Sequence, residues 1–312
     1  MVCDDGSDQR QVSSTGGKAA NPKWSPDGSK FAYTANGDLC ISGFSGKIEK
    51  RIISKEGAIQ SFDWSPDGRQ IVYSDYKMPE RTNIIVTDIT CGKKRIITQK
   101  KIHCSDLAWA PDGNKIAMTW SGDSSSGQAL VIDPVTGREI YVSDFDGNDD
   151  NLPINRGGGT LEAIILNLKW TADSTEIYFE RLGRYTEVFF SNIKTGEREQ
   201  WGESDEISSL ECSQKLDLAV FCYKHSTGLV STDLYRKHQR RLTKEGNWCG
   251  DPNIITVGKA IAFLSNFDMD VEHLGNCSLF TIDLDGTHLK RLSKPCINSN
   301  SSNRMYSWCL RR

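Results

Sequence analysis

The sequence predicts an all-β fold, a β-propeller built from four-stranded antiparallel blades. The first observation is a motif, Trp-Ser-Pro-Asp-Gly, which stands at residues 24–28 and 64–68 and recurs as Trp-Ala-Pro-Asp-Gly at 109–113. The second is the spacing of about 40 to 45 residues between most repeats, which suits one blade. The third is that no segment of the sequence shows a sustained helical period.

Each repeat has the order of a four-stranded sheet. The tryptophan closes a first strand, and the residues after it favour a turn because proline presets φ and glycine accepts positive φ. An apolar run then returns as the antiparallel second strand. A third strand such as 84–88 and a fourth such as 138–142 complete the unit. Residues 170–174 are a degraded fourth copy, and the runs at 218–220 and 261–263 keep the spacing without the motif.

The blade count depends on how the two ends of the chain are used. Residues 5–13 are similar to a fourth strand, and residues 304–308 are similar to a first strand that ends on a tryptophan. Because unjoined sheets leave open edges, we predict seven blades, the last shared by both termini. The composite blade lacks a second strand, and six blades is the alternative. The prediction is one domain, 1–312, with repeats at 17–56, 57–101, 102–160, 161–204, 205–247 and 248–296, and a closing blade from 297–312 plus 1–16.

The string W-S-P-D-G-x-x-I/F-A/V-Y, with a later Asp and a terminal R-x-I/L-T/S, resembles the repeat of TolB-like propellers, which is similar in turn to WD-type repeats. The resemblance covers about residues 1–309; it is strong in the first three repeats and rests on spacing in the fifth and sixth. It implies a fold rather than a function, because the motif residues build turns. Propellers of this kind serve as protein-binding platforms, as gating domains of prolyl-oligopeptidase-like enzymes and as sugar-acid lyases.

Composition narrows the range of partners. The chain has 312 residues and a formal net charge of −3, with its lysines and arginines scattered among aspartates and glutamates. Nucleic acid is not expected as a partner, because no basic field exists to hold a phosphate backbone. No membrane insertion is expected, because no run of about 18 apolar residues occurs. We expect a monomer that binds a protein partner or a small ligand.

The sequence leaves the compartment open. The N-terminus has neither the cationic start nor the apolar segment of a signal peptide, which favours the cytoplasm. The TolB-like resemblance instead implies a periplasmic or exported protein. Several cysteines fall in predicted strands, where a free thiol packs as a small apolar group. Cys249 and Cys296 occupy equivalent loops between repeats and can pair if the compartment is oxidising.

Function is predicted on one face of the propeller. Turns between first and second strands are short, whereas long connections gather where second strands meet third strands and where one blade leads to the next. We therefore predict a loop-rich working face. The candidate partner-binding residues are aromatic, methionine and arginine side chains in its loops, namely Tyr76, Met78, Phe267, Met269 and Arg156.

The longest connection carries alternating side chains with oxygen atoms, which an open loop can turn onto one calcium ion. The candidate metal ligands are Asp144, Asp146, Asn148 and Asp150. The match to a helix-loop-helix calcium loop is partial, because Asp149 stands where glycine is needed and Asn155 where a bidentate glutamate is needed. No cofactor is expected apart from this calcium ion, and a solvated acidic loop is the alternative.

The sequence favours binding over catalysis. No Gly-x-Ser-x-Gly elbow occurs, and no βα alternation remains for the catalytic domain of a peptidase. A lyase site would need several of the 5 histidines, which are His103, His225, His238, His273 and His288. We predict a non-enzymatic platform that binds a protein through the loop-rich face. The alternatives are a propeller lyase or hydrolase, a metal-stabilised ligand binder at the central channel, and the propeller module of a larger peptidase-like chain.

Overall fold

A computed structural model describes the strands and most of their turns. They fall into two compact units, one within Thr15–Ser204 and one within Asp205–Arg312. Among the described residues there is no helix long and apolar enough to cross a membrane. The described residues are 19–54, 57–77, 81–100, 103–122, 125–143, 164–182, 186–200, 207–213, 216–223, 228–234, 237–244, 246, 249–255, 259–266 and 277–293.

The unit within Thr15–Ser204 contains sheets 1 to 4. Each sheet is made of four consecutive strands, and every neighbouring pair is antiparallel. The strands are β1 (Ala19–Trp24), β2 (Lys30–Ala35), β3 (Asp38–Gly43), β4 (Ile48–Ile52), β5 (Ala58–Trp64), β6 (Gln70–Lys77), β7 (Arg81–Asp88), β8 (Lys94–Lys100), β9 (His103–Trp109), β10 (Ile116–Gly122), β11 (Ser125–Ile132), β12 (Glu139–Ser143), β13 (Ile164–Trp170), β14 (Glu176–Leu182), β15 (Thr186–Asn192) and β16 (Arg198–Gln200).

The unit within Asp205–Arg312 contains sheets 5 and 6, which have the same strand order. The strands are β17 (Ile207–Ser213), β18 (Leu218–Tyr223), β19 (Leu229–Thr232), β20 (Arg240–Arg241), β21 (Cys249–Ile255), β22 (Ala260–Ser265), β23 (Ser278–Asp283) and β24 (Lys290–Arg291). Sheet 6 forms without the tryptophan of the motif. Ile254 pairs there with Ile261 as Trp64 pairs with Ile71 in sheet 2, so an apolar residue is enough at this position.

The turn between first and second strands follows from the Ser-Pro-Asp-Gly sequence. In sheet 1 the Gly28 amide donates to the Ser25 carbonyl at 2.8 Å, with φ of 69° at the glycine. The Asp27 carboxylate accepts from the Ser25 hydroxyl at 2.6 Å and from the Ser29 amide at 3.0 Å. In the degraded copy of sheet 4, Ser174 takes the place of the glycine with φ of 60°. Its hydroxyl accepts from the Asp112 amide at 3.0 Å, which ties this turn to sheet 3.

Apolar side chains of the second and third strands fill the space between neighbouring sheets. The cluster between sheets 1 and 2 is Ala32, Leu39, Ile41, Ile52, Ile59, Phe62, Trp64, Ile71, Tyr73 and Ile85. Similar clusters join sheets 2 and 3, sheets 3 and 4, and, in the other unit, sheets 5 and 6. Both faces of the middle strands are therefore buried, which explains why their sequences are continuous apolar runs rather than alternating ones.

Two of the motif tryptophans connect successive first strands. The Trp64 indole Nε1 donates to the Lys23 carbonyl at 3.1 Å, and the Trp170 Nε1 donates to the Ala108 carbonyl at 3.0 Å. Each of these indoles is thus buried between two sheets with its one donor satisfied. The tryptophan of the motif therefore serves the packing of neighbouring sheets.

The structure describes six sheets, so the main prediction of seven blades was wrong and the six-blade alternative agrees with the structure. The physical reason lies in the terminal sequences, which hold patterns for a first and a fourth strand but no second strand to pair between them. Residues 297–312 and 1–16, which were expected to close the ring, lie outside the described residues. The assignment of 1–312 to a single domain stays a prediction.

Candidate functional site

The two ends of sheets 1 to 4 differ in how their strands are joined. At the turn end, the first strand meets the second and the third meets the fourth through short hydrogen-bonded turns. At the opposite end, which we call the loop end, the second strand meets the third and the chain passes to the next sheet. The loop end is the face on which the sequence predicts function. The long second-to-third connections predicted there in sheets 2 and 3 are mostly strand, because β6 ends at Lys77 before β7 begins at Arg81, and β10 ends at Gly122 before β11 begins at Ser125.

Hairpins of sheets 2 to 4 extend further at the loop end than the hairpin of sheet 1. The length of each hairpin is counted along its second strand, from the residue that pairs with the motif tryptophan to the outermost paired residue. The outermost pairs are Ala35 with Asp38 in sheet 1, Lys77 with Arg81 in sheet 2, Gly122 with Ser125 in sheet 3 and Leu182 with Thr186 in sheet 4. Three neighbouring sheets therefore carry the longer hairpins.

Two ring side chains meet across sheets 2 and 3 at the loop end. Tyr76 lies on β6, and His103 is the first residue of β9. Their ring centroids are 5.5 Å apart with an interplanar angle of 73°, which is an edge-to-face contact. Tyr76 is half-buried and His103 is exposed. The pair therefore forms an accessible aromatic surface that two sheets hold in place.

Hydrogen bonds fix the connection from sheet 1 to sheet 2. One of them reaches Asp75, the residue directly before Tyr76. The Ser54 hydroxyl donates to Asp75 Oδ1 at 2.5 Å, and the Ser54 amide donates to Asp38 Oδ1 at 3.1 Å. The Gly57 amide donates to the Ser54 hydroxyl at 3.0 Å. Asp75 is 2% exposed, so this carboxylate is a buried anchor rather than a surface charge. The connection is held from both of the sheets that it joins.

A buried ion pair supports the hairpin of sheet 4. Arg181 Nε donates to Glu187 Oε2 at 2.8 Å, and both residues are buried. Gln200 Nε2 donates to the other carboxylate oxygen, Oε1, at 3.2 Å. The Arg181 guanidinium lies over the Phe189 ring at 5.3 Å from its centroid. Strands β14, β15 and β16 are therefore joined by side chains as well as by backbone pairing.

The first strand of every sheet carries a β-bulge. A bulge inserts extra residues opposite the second strand and changes the direction of its side chains. In sheets 1 and 4 the bulge contains an asparagine, Asn21 or Asn167, with φ of 54° in the left-handed region that asparagine tolerates. The register shifts fall between Ala20 and Lys23, Ile59 and Phe62, Cys104 and Leu107, Leu166 and Lys169, Ile207 and Ser209, and Gly250 and Asn253.

Polar side chains of the second strands hold these bulges. The Ser61 amide donates to the buried Ser74 hydroxyl at 3.1 Å, and the Asp106 amide donates to the buried Thr119 hydroxyl at 2.9 Å. In sheet 4, Asn167 Nδ2 donates to a carboxylate oxygen of the second strand at 2.9 Å. These contacts explain why polar residues interrupt the apolar second strands.

Polar and charged side chains of neighbouring first strands lie together in sheets 1 to 4. We call them the first-strand cluster, which consists of Lys23, Asp63, Asp106 and Lys169. Lys23 Nζ is 3.1 Å from Asp63 Oδ1, and Asp63 Oδ2 accepts from the Trp109 amide at 2.8 Å. Lys23 and Lys169 both favour the charged form of Asp106 electrostatically. The cluster therefore carries charges of both signs close to one another.

Asp106 is the member of the cluster with the most constrained surroundings. Burial raises the pKa of its carboxyl group, and this effect exceeds the opposing effects of Lys23, the backbone amides of Leu168 and Asn167, and Lys169. The Asp106 Oδ2 atom is buried and meets no hydrogen-bond donor among the described residues, and the same holds for Gln60 Oε1.

Of the residues that the sequence selects for a site, the structure describes Tyr76. The other partner-binding candidates, Met78, Arg156, Phe267 and Met269, lie outside the described residues. So do the calcium candidates, which are Asp144, Asp146, Asn148 and Asp150. Those assignments stay predictions. The first-strand cluster was missed, although the recurrence of Lys23, Asp63 and Lys169 directly before a motif tryptophan was a signal for it.

Described histidines are spread over both units. His103 lies on β9, whereas the exposed His238 and His288 rings contact Asp233 and Asp283 at 2.5 Å and 2.8 Å. His225 and His273 lie outside the described residues. In the part of the chain that the structure describes, no group of three His, Cys, Asp or Glu side chains is placed to hold a metal ion.

No family model matches the sequence, and no curated protein matches it. Two TolB structures are similar in fold. A protein described as TolB, from Agrobacterium tumefaciens, is 17% identical with a TM-score of 0.53 over 93% of this chain and 85% of that chain. TolB from Acinetobacter baumannii is 16% identical with a TM-score of 0.53 over 91% of this chain and 65% of that chain. The fold is a TolB-like β-propeller.

The propeller is also similar to parts of two enzymes. A prolyl endopeptidase has a TM-score of 0.65 at 11% identity, over 90% of this chain and 43% of that chain. An oligogalacturonate lyase in complex with manganese has a TM-score of 0.63 at 12% identity, over 85% of this chain and 77% of that chain. At these identities the likeness shows the fold alone. This chain spans less than half the length of the prolyl endopeptidase chain.

Proposed function

We propose that this propeller is a non-enzymatic platform that docks a protein partner at the loop end of sheets 2 and 3. The observation that carries the proposal is the accessible ring pair of Tyr76 and His103. Tyrosine is enriched among the residues that dominate binding energy, because it brings a large apolar area and a polar tip at a low entropy cost. A half-buried tyrosine that is already oriented by a neighbouring ring has little freedom left to lose on binding.

The framework around the ring pair supports the same proposal. Asp75 and Ser54 tie sheet 1 to sheet 2, and Arg181 and Glu187 tie the hairpin of sheet 4 together. A surface that is already ordered loses less conformational entropy when a partner binds, so more of the contact energy appears as affinity.

Site-directed photocross-linking in the source cell tests this function. A photoreactive phenylalanine analogue replaces Tyr76 or His103 at the loop end. The matched controls carry the same residue at the exposed Arg69 and Asn114, which lie in the turns of the same two sheets at the turn end. We expect one protein to be linked from both loop-end positions and from neither control position.

Adducts that form equally from both ends, or only from the turn end, would overturn the assignment of the docking surface. Circular dichroism of each variant serves as the folding control, since a propeller variant must keep a β-type spectrum. If the four variants are folded and no position yields a protein adduct, the partner is not a protein and the proposal fails.

A further inference from the structure

The connection between β2 and β3 consists of an Asn-Gly pair, Asn36-Gly37, which occurs once in the sequence. The outermost pair of this hairpin is Ala35 with Asp38, so only these two residues form the turn. Both have positive φ, 52° at Asn36 and 83° at Gly37, which is the tight hairpin turn that Asn-Gly sequences favour. Asn36 is exposed and Gly37 is half-buried. The pair lies at the loop end of sheet 1.

An Asn-Gly pair can react with itself. Because glycine has no side chain to shield its backbone nitrogen, the nitrogen of Gly37 can attack Cγ of Asn36. The new bond from nitrogen to Cγ forms as the bond from Cγ to Nδ2 breaks, and Nδ2 leaves as ammonia with the proton of the glycine amide. Water then opens the resulting succinimide ring at either carbonyl, which gives aspartate or isoaspartate. No other reactant is needed.

The structure restrains the comparable Asp-Gly pairs, of which the described residues contain four. An amide that donates to a carbonyl must lose that bond before its nitrogen can attack. In sheet 2 the carboxylate is held as well, because Asp67 Oδ1 accepts from the Ser65 hydroxyl at 2.6 Å and from the Arg69 amide at 3.0 Å. The four glycine amides all donate to a backbone carbonyl, Gly28 to Ser25 at 2.8 Å, Gly68 to Ser65 at 2.8 Å, Gly113 to Ala110 at 2.9 Å and Gly286 to Asp283 at 2.9 Å.

The pair in sheet 1 lacks both restraints. The Gly37 amide meets no acceptor among the described residues, and the Asn36 side chain makes no hydrogen bond to them. Gly37 is anchored through its carbonyl instead, which accepts from the Ile59 amide at 2.8 Å. The nitrogen that attacks and the side chain that is attacked are therefore both left available by the fold.

We propose that Asn36 is a site of spontaneous deamidation. Isoaspartate at this position carries the main chain through Cγ, so it adds one CH2 group to the backbone of a two-residue turn. Two bonds to the connection from sheet 1 to sheet 2 depend on this turn, because the Gly37 carbonyl accepts from Ile59 and Asp38 Oδ1 accepts from the Ser54 amide. The modification therefore loosens that connection. This inference does not depend on the docking of a protein.

Incubation of the folded chain at mildly alkaline pH tests the site. Asp67→Asn provides the matched variant, because it places the same Asn-Gly sequence in a restrained turn of sheet 2. We expect peptide mass spectrometry and enzymatic methylation of isoaspartyl groups to find a mixture of aspartate and isoaspartate at position 36. We expect the asparagine introduced at position 67 to keep its amide. In urea both positions should react alike, since the fold no longer separates them.

Three results would overturn the site. They are equal loss of the amide at the two positions in the folded chain, no loss at position 36, and formation of aspartate there without isoaspartate. Retention of the amide at position 67 in urea as well would show that the neighbouring sequence, and not the fold, decides the reaction.

Hydrogen exchange at the Ile59 amide tests the structural effect. We expect this amide to lose protection in the isolated isoaspartate form, because its acceptor moves with the longer turn. Asn36→Asp is the control, since it has the same added charge on a normal backbone and should keep the protection. Equal protection in the two forms would contradict the loosening of the connection.

Discussion

At the scale of single residues, an aspartate carboxylate stabilises the turn between the first and second strands in sheets 1 and 2. The Asp27 carboxylate accepts from the Ser25 hydroxyl at 2.6 Å, the Ser29 amide at 3.0 Å and the Ser29 hydroxyl at 2.8 Å. These hydrogen bonds, of which that from Ser25 has the largest effect, lower the pKa of Asp27 from 3.8 to about 2. Asp67 makes the equivalent bonds in sheet 2, and its pKa is lowered as well.

The lowered pKa of Asp27 gives a signed dependence of stability on pH. The folded state favours the ionised carboxylate, so this contribution is fully present above about pH 4 and is lost as the pH falls through about 2. In Asp27→Asn we expect a lower thermal midpoint near neutral pH and a smaller loss of midpoint on acidification than in the wild type. Thermal unfolding from about pH 5 down to about pH 2 measures this difference. Parallel wild-type and variant curves would contradict the assignment.

At the scale of elements, the fourth strands of sheets 1 and 2 contact the turn of the following sheet. The Lys50 ammonium donates to the Ile89 carbonyl, and Arg95 Nη2 donates to the Pro134 carbonyl at 2.6 Å. The turn of sheet 3 comes closest, because a Cβ built on Gly137 would lie 2.0 Å from the Ile97 carbonyl oxygen. Gly137 is also in the left-handed region, with φ of 71°. It is therefore required both by its conformation and by the packing of sheet 2 against sheet 3.

Gly137→Ala separates these two requirements when it is compared with Gly113→Ala. Gly113 has φ of 78° and no atom within 4 Å of an added Cβ, so its substitution carries only the conformational cost of about 1 kcal/mol. At Gly137 we expect a further loss of roughly 1–3 kcal/mol from the clash with backbone atoms. Urea unfolding of both variants measures the difference. Equal losses would show that the two sheets move apart freely at this turn.

The ion pair in sheet 4 allows a second test at this scale. Arg181 and Glu187 are buried, whereas Lys30 and Glu49 form an exposed pair with 41% and 44% of the side chains accessible. Glu187→Gln removes a buried charge that pairs with the buried Arg181 guanidinium, so we expect a loss of about 3–5 kcal/mol. Glu49→Gln is the matched control, with an expected loss of about 0–1 kcal/mol. If urea unfolding shows equal losses of unfolding free energy in the two variants, Glu187 does not stabilise the hairpin of sheet 4.

At the scale of the whole molecule, repetition made the fold predictable from sequence. The tryptophan-turn-strand unit specifies a local hairpin whose apolar run must be buried on both faces, so copies of it must pack on one another. Sheet 6 lacks this signal and was found by spacing, because an aliphatic residue fills the tryptophan position at Ile254. The blade count was wrong because terminal fragments with strand-like sequences were counted as a further sheet.

The candidate site was only partly predictable, for a reason that differs between its two regions. Tyr76 was selected as an aromatic residue of a predicted long loop, whereas the structure places it on strand β6. The first-strand cluster depends on bulges that recur at one position of every repeat, and bulges have no fixed sequence. Asp106 approaches Lys169 only because β9 and β13 lie side by side, although the two residues are far apart in the chain. Such contacts between repeats follow from the packing of sheets and not from any one repeat.

The proposed docking of a protein on the loop end depends on the ring pair of Tyr76 and His103. Calorimetric titration with the protein that cross-links there measures this dependence, with Tyr76→Ala as the variant and Arg69→Ala at the turn end as the control. We expect the affinity to fall at least about tenfold for Tyr76→Ala and to stay within about twofold for Arg69→Ala. Unchanged affinity for Tyr76→Ala, with the β-type spectrum retained, would contradict the account.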